Sequence, residues 1–275
     1  MRKILAAPIA AIACLLASVS NAAPIRTDIV FVVDESGSMG NVQANLRNNI
    51  GAFASILSAG GVDATYALVG YGDANVVPRL ITNFTNPTNF ATAAQGLRVN
   101  GGTEPGYSAI AFALNGLDNQ ASTLNFRTNS LTNIILVTDE PSNGDFCTVS
   151  QPLCVNAASV TAAVADSLLK NRQALLNSVL SGTSTIASFG NLTTSNGGQV
   201  FNLSQLGSSN PQEVQQFVST FATAKLQEIV DTCQNNPNLP GCNPGGNPTP
   251  VPAPGGLLLL VGGLAGLGAA RRFAA

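Results

Sequence analysis

Five oxygen-bearing side chains draw attention first. Asp34, Ser36 and Ser38 share the run Asp-Glu-Ser-Gly-Ser-Met at 34–39, Thr103 lies in Gly-Gly-Thr-Glu-Pro at 101–105, and Asp139 follows the apolar run Asn-Ile-Ile-Leu-Val-Thr at 133–138. None offers a nitrogen or sulfur donor, so the chemistry they suit is the binding of a hard divalent cation, Mg²⁺ first, with Mn²⁺ or Ca²⁺ as alternatives. Two carboxylates offset the charge of such an ion and three hydroxyls add none. That balance leaves the ion Lewis-acidic, with an open position that the Asp or Glu of a partner can fill. Asp-x-Ser-x-Ser is a weak signal alone, because Ser36 and Ser38 also read as caps of a following helix, and Asp139 as a cap or an unpaired acid at a strand end. Capping calls for one such residue, whereas five occur in three stretches. Asp73, Glu104 and Glu140 fall near the same rim and are expected to be solvated surface charges, with ligand selectivity as the lesser role.

The elements that must position these residues are legible as hydrophobic patterns. Residues 27–33 (TDIVFVV) form a β-branched apolar run, as expected of a buried central strand. Val42, Leu46, Ile50, Phe53, Ile56 and Leu57 then recur at helical spacing. Further strands are expected at 64–71, 133–138, 185–189 and 199–203, with an edge strand over 76–84. Helices are expected at 89–95, from the 101–105 loop through Leu114, at 157–180 and at 211–230, and Pro105 suits a first helical turn. Alternating strands and helices predict an α/β fold with a doubly wound, mostly parallel central sheet flanked by helices. Ligands of such sheets bind beyond the carboxyl ends of the strands, where all five residues fall.

In this order and context, Asp34-x-Ser36-x-Ser38, Thr103 and Asp139 resemble the metal-ion-dependent adhesion site of the von Willebrand factor type A (VWA) family, matching its five positions without substitution. The likeness spans about residues 28–231, within a domain placed at 26–232. The resemblance implies a Rossmann-like VWA fold, exchange between direct and water-mediated metal contact at Thr103 and Asp139 when ligand arrives, and a shift of the last helix, 211–230.

Composition narrows the alternatives. The chain has 275 residues, long enough for one sizeable domain, and 45% of them are hydrophobic. Only 9% are charged, against a usual share of about 25%. Arg2, Lys3, Arg271 and Arg272 sit in terminal segments; setting them aside leaves 8 of the 12 basic residues against 14 acids, a net of −6. No basic stripe remains for phosphates, which argues against nucleic acid as a partner. Histidine is absent, removing every His-based triad and the commonest zinc ligand, and tryptophan is absent too.

Both ends carry processing signals. Met1-Arg2-Lys3, an apolar run over 4–19 and the small residues Ala22 and Ala23 predict a secretory signal peptide at 1–22, against the alternatives of a retained anchor or a lipid on Cys14. Export permits disulfides. Excluding Cys14, four cysteines allow three pairings, of which the local pairs Cys147–Cys154 and Cys233–Cys242 are favoured; their spacing is unlike the close pairs of zinc sites. Residues 233–254 read as a Cys/Pro/Gly-rich linker. The final 251–275 combines Val-Pro-Ala-Pro, an apolar stretch at 255–270 and Arg271-Arg272. It resembles the PEP-CTERM sorting signal of Gram-negative bacteria, except that Ala253 stands where that signal usually has Glu. This resemblance implies export across the inner membrane, transient membrane attachment through 255–270, processing by an exosortase-type enzyme, and surface or matrix display or release. An ordinary tail anchor is the plainer reading.

The leading expectation is a metal-dependent binding or adhesion module for a protein ligand presenting Asp or Glu. The alternatives are a structural matrix protein whose metal only rigidifies the loops, and a metal-assisted hydrolase. With no histidine, a hydrolase would have to draw its base from Glu35, Glu104 or Glu140, and none of these lies in a motif that demands the role.

Overall fold

The computed structural model describes residues 23–243. The expected signal peptide at 1–22 and the sorting signal at 251–275, with its apolar stretch, lie outside the described residues. Among those described, no helix is long and apolar enough to cross a membrane.

The chain opens with β1 (Ile25–Asp34), a 3₁₀ turn (Gly37–Met39) and α1 (Gly40–Ala59), followed by β2 (Val62–Tyr71) and β3 (Arg79–Thr85). Next come α2 (Pro87–Ala93), α3 (Gly106–Ala113), β4 (Leu131–Thr138), and a small ribbon of β5 (Cys154–Val155) and β6 (Ala158–Ser159). The chain continues through α4 (Ala162–Arg172), β7 (Leu175–Leu180), α5 (Thr183–Ser195), β8 (Val200–Asn202), α6 (Leu203–Leu206) and α7 (Pro211–Asn235). Six strands form the main sheet in the order β3-β2-β1-β4-β7-β8, parallel except for the antiparallel edge strand β3. This is the doubly wound α/β architecture expected from the sequence.

Both faces of the sheet are covered, which is why the central strands are continuously apolar. Ile29, Phe31 and Val33 of β1 pack into one core with Phe53 of α1 and Phe217 and Phe221 of α7. Val30 and Val32 alternate to the other face, packing with Ile110 of α3, Leu169 of α4 and Phe189 of α5. The sheet order reverses at β1 and β4: the chain leaves β1 toward β2 on one side and returns to β4 on the other. A crevice opens at the carboxyl ends of such a strand pair, and Asp34 and Asp139 flank it.

Two elements differ from expectation. Residues 157–180 divide into α4 and β7, because Gln173 ends the helix in a left-handed conformation (φ 53°) and Leu175–Leu180 enters the sheet beside β4. That apolar run fits either period, and no glycine marks the stop. Residues 185–189 belong to α5, not to a strand: Thr185, Phe189, Leu192 and Thr193 bury one helical face. The β-branched Thr185 and Ile186 suggested a strand, but packing on the sheet overrides that local preference. Cys147–Cys154 and Cys233–Cys242 are both bonded. Residues 233–243, expected to begin a spacer, instead extend α7 to Asn235 and fold back so that the Gly241 carbonyl accepts from Arg26 N at 2.9 Å.

Candidate metal centre

Asp34 ends β1 fully buried. Ser36 N donates to its Oδ1 at 2.7 Å, and Thr138 Oγ1, at the end of the neighbouring β4, donates to its Oδ2 at 2.7 Å. Ser36 Oγ and Ser38 Oγ lie 3.2 Å apart. Neither caps a helix: Ser36 precedes the 3₁₀ turn without a side-chain bond to it, and Met39 precedes α1. The two hydroxyls are therefore not committed to capping.

The second stretch is tied to the first through its backbone. Gly101 bridges to Ser36 in parallel fashion, and Asn100 N and Gly101 N both donate to the Glu35 carbonyl, at 3.1 and 3.3 Å. Glycine is required at 101, where a Cβ would fall 1.5 Å from the Gly72 carbonyl oxygen. Thr103, half-buried, is met by the third stretch at Gly144, which has φ +77° and no room for a Cβ because Thr103 Cγ2 would stand 2.4 Å away. Asn143 secures this approach: its N donates to the Glu104 carbonyl at 2.9 Å and its Nδ2 to Glu104 Oε2 at 3.0 Å. Asp139 leaves β4 half-buried; its carbonyl accepts from Thr185 Oγ1 at 2.9 Å, while its Oδ1 is buried without a partner. The three stretches thus share one rim, and only Asp34, Ser36 and Ser38 are joined through side-chain bonds.

The acids of this rim differ in whether a basic side chain stands beside them. Burial pushes the Asp34 carboxyl up to about 7, with a further push from Glu104, against the Ser36 N–H and the hydroxyls of Thr138 and Ser36. Glu104 is raised by burial and then by the negative charges of Glu140 and Asp139. Neither it nor Asp73 is the solvated charge expected, since both are buried. Asp73 is held below the usual carboxylate range: burial opposes its charge, but Asn75 N and the guanidinium of Arg98 prevail. Glu140 is exposed, as expected. Arg79 and Arg98, the guanidiniums of this corner, are engaged by Glu35 and Asp73. Among the described residues, Asp34, Glu104 and Asp139 have no salt bridge.

A hard cation fits this donor set. Asp139 Oδ1 is an orphaned buried oxygen, a costly state without a partner, and the remaining donors are oxygens of the right hardness. Among the described residues no group of three or more His, Cys, Asp or Glu is placed to hold a metal, so a site here depends on its hydroxyls.

The von Willebrand factor type A domain model matches residues 28–231. The chain belongs to this family. No curated protein matches it. VWA domains serve in general as protein-interaction or adhesion modules, and the matched span of this one contains Asp34, Ser36, Ser38, Thr103 and Asp139.

Several supports of the VWA rim are not evident from its motif. Thr138 orients Asp34 from the adjacent strand. Gln43 Nε2 donates to the Asp34 carbonyl at 3.0 Å and to the Arg98 carbonyl at 2.7 Å. Buried Glu35 accepts from Arg98 N at 2.6 Å and from Arg79, joining the first loop to the second. Asp145, raised by burial, accepts from Ser108 N, Ser108 Oγ and Ser142 Oγ, at 2.8, 2.7 and 2.6 Å, and so anchors the third stretch to α3. Glu35 had a signal, lying inside the motif; the others become visible only when the strands are paired.

Proposed function

We propose that this VWA domain is an exported adhesion module that binds a partner's carboxylate through a divalent cation held by Asp34, Ser36, Ser38, Thr103 and Asp139. The single observation carrying this reading is the unpartnered, buried Asp139 Oδ1, on the same rim as an Asp34 carboxyl that has no positive neighbour to offset it. Bound Mg²⁺ would supply a Lewis-acidic position for an Asp or Glu of the partner. The chain's own part is to hold the oxygens in place: Thr138 and Ser36 N fix the two Asp34 oxygens, and the Ser36–Gly101 bridge holds the Thr103 loop against the motif.

The surroundings suit a protein partner. Of the five large apolar side chains exposed among the described residues, Val99, Phe146 and Ile186 lie on segments bordering the rim, and Val149 lies on the loop that follows Phe146. Val99 stands two residues before Gly101, Phe146 two after Gly144, and Ile186 beside Thr185, which bonds Asp139. The Cys147–Cys154 bond closes the loop carrying Val149. Disulfides fit an oxidising compartment, and the segments at 1–22 and 251–275 support export, exosortase-type processing and display at the surface of a Gram-negative bacterium.

The test is calorimetry with Mg²⁺, followed by capture of exported proteins on immobilised domain in Mg²⁺ or in EDTA. Mg²⁺ uptake and Mg²⁺-dependent capture, both lost in Asp34→Ala, are expected. Uptake without capture would mean that the metal only rigidifies the loops, and no uptake would overturn the reading altogether.

A further inference from the structure

Between β7 and α7 the interior holds an amine, a carboxamide and a carboxylate joined by hydrogen bonds, none of which involves a residue of the candidate metal centre. The sequence contains three lysines, Lys3, Lys170 and Lys225, and uses arginine for its other cations. Lys170 forms an exposed pair with Asp166. Lys225, on α7, is fully buried. Its Nζ donates to Asn177 Oδ1 and, at 2.6 Å, to Glu228 Oε1. Asn177, in the middle of β7, donates its Nδ2 to Glu228 Oε2 at 2.7 Å. Amine, carboxamide and carboxylate therefore close a ring of three bonds, with one carboxylate touching both the nucleophile and the nitrogen that would leave. Around them lie Leu175 and Val179, which share Asn177's face of β7, and Phe221, Leu226 and Ile229 of α7.

The geometry points to an intramolecular isopeptide bond between Lys225 Nζ and Asn177 Cγ, formed by this chain on itself with Glu228 as the catalytic acid and base. In the first step Nζ passes a proton to Glu228 Oε1, giving a neutral amine and a carboxylic acid. The Nζ lone pair then attacks Cγ, and the carbonyl electrons move onto Oδ1. Glu228 gives the proton it received to Nδ2, and the carboxylate so freed takes a second proton from Nζ. When the carbonyl re-forms, the Cγ–Nδ2 bond breaks and ammonia leaves with that electron pair. Lysine ammonium, carboxamide and carboxylate thus become a secondary amide, a carboxylic acid and ammonia, and no outside reactant is needed.

Three physical features favour the reaction. Burial lowers the Lys225 pKa even against the pull of Glu228, which makes the free amine accessible. The reacting groups are held together by the fold, so attack is intramolecular. The product replaces a buried ion pair, expensive to desolvate, by a neutral amide. Glu228 also borders a surface cleft with Gly197, Gln199, Ala224 and Asp231, a route out for ammonia. An arginine in place of Lys225 would satisfy the ion pair equally but has no accessible free base. The bond would weld α7 to the sheet across 48 residues of chain.

Intact mass measurement of the purified full-length chain, reduced to open its disulfides, tests this directly. The mass is expected to fall one ammonia short of that calculated for the chain between its mapped termini. Arg172 is the basic residue preceding Lys225, so both partners fall in the tryptic fragment 173–225. Trypsin should fail to cut after a linked Lys225, and fragment spectra should join Asn177 to it. Glu228→Gln should restore both the full mass and the cleavage. If that variant does not fold, the wild-type result decides alone. Full mass with free cleavage after Lys225 would overturn the bond and leave a structural ion pair. Loss of ammonia mapped to an Asn-Gly step (Asn100, Asn115, Asn143 or Asn196) with Lys225 still cleaved would overturn it equally.

Discussion

β1 carries one buried aspartate in its amino-terminal half, Asp28, and another at its carboxyl end, Asp34, and the two are compensated differently. Asp28 receives the Arg127 guanidinium at 2.7 Å, Arg127 N at 2.6 Å, Ser130 Oγ at 2.7 Å and Thr65 Oγ1 at 2.8 Å. Arg127 also reaches Asp63 at 2.9 Å, and Arg26 reaches Asp63 at 3.5 Å, so two guanidiniums face two carboxylates and the charge at that end is neutralised within the chain. Asp34 receives one N–H and one hydroxyl, and has no cation. A buried carboxylate without a counter-charge is costly, and a fold retains it where something else supplies the charge. The amino end of the strand is a finished structural joint, and the carboxyl end is where the proposed cation would supply the missing charge.

The largest test of this contrast is Arg127→Ala. It strands Asp28 and should cost about 3–5 kcal/mol in denaturant unfolding, with Mg²⁺ unable to restore it. Rescue by Mg²⁺ would break the distinction. Asp34→Asn should do the reverse: the metal-free domain at pH 7 keeps or gains stability, while the stabilisation by Mg²⁺ disappears. In the wild type that stabilisation is expected to reach about 2.7 kcal/mol at a hundredfold excess of Mg²⁺ over Kd, read as a shift in Tm.

The pH dependence sharpens the same point. With its carboxyl raised to about 7 in the folded state, Asp34 holds its proton longer folded than unfolded. Its contribution to metal-free stability is therefore full below the ordinary carboxylate range near 3.8 and is lost as pH rises toward 7, a decline of a few kcal/mol. Denaturant midpoints taken from pH 4 to 7.5 should fall without Mg²⁺ and fall less with it; a flat metal-free profile would contradict the account. The smallest effect belongs to Glu104→Gln. Removing one of the mutually repelling acids should raise metal-free stability by about 1 kcal/mol or less and leave Mg²⁺ uptake in place. Loss of uptake would make Glu104 a ligand.

Much of the site's layout was legible because a buried parallel strand has a local signature. The apolar runs at 27–33 and 133–138 become β1 and β4, and the polar residues just beyond them become the rim. The boundary between α4 and β7 was hidden because Gln173 takes a left-handed conformation usually left to glycine, and because Leu175 and Leu176 fit helix and strand alike. Asp73 and Glu104 looked solvated because their partners, Arg98 and Asn143, are 25 and 39 residues away. Nothing local to Lys225 announces that it is buried against Asn177.

By itself the sequence determined which oxygens are available, in what order, and that each lies at the end of a strand or the start of a helix. Those are short-range properties, written in hydrophobic period and turn chemistry. The tertiary structure alone decided which acids are compensated. Asp28 meets Arg127 across 99 residues and Asp34 meets Thr138 across 104, and both encounters exist only because β1 lies beside β4 in the sheet. Electrostatic compensation depends on distance in space, which strand order sets and spacing along the chain does not.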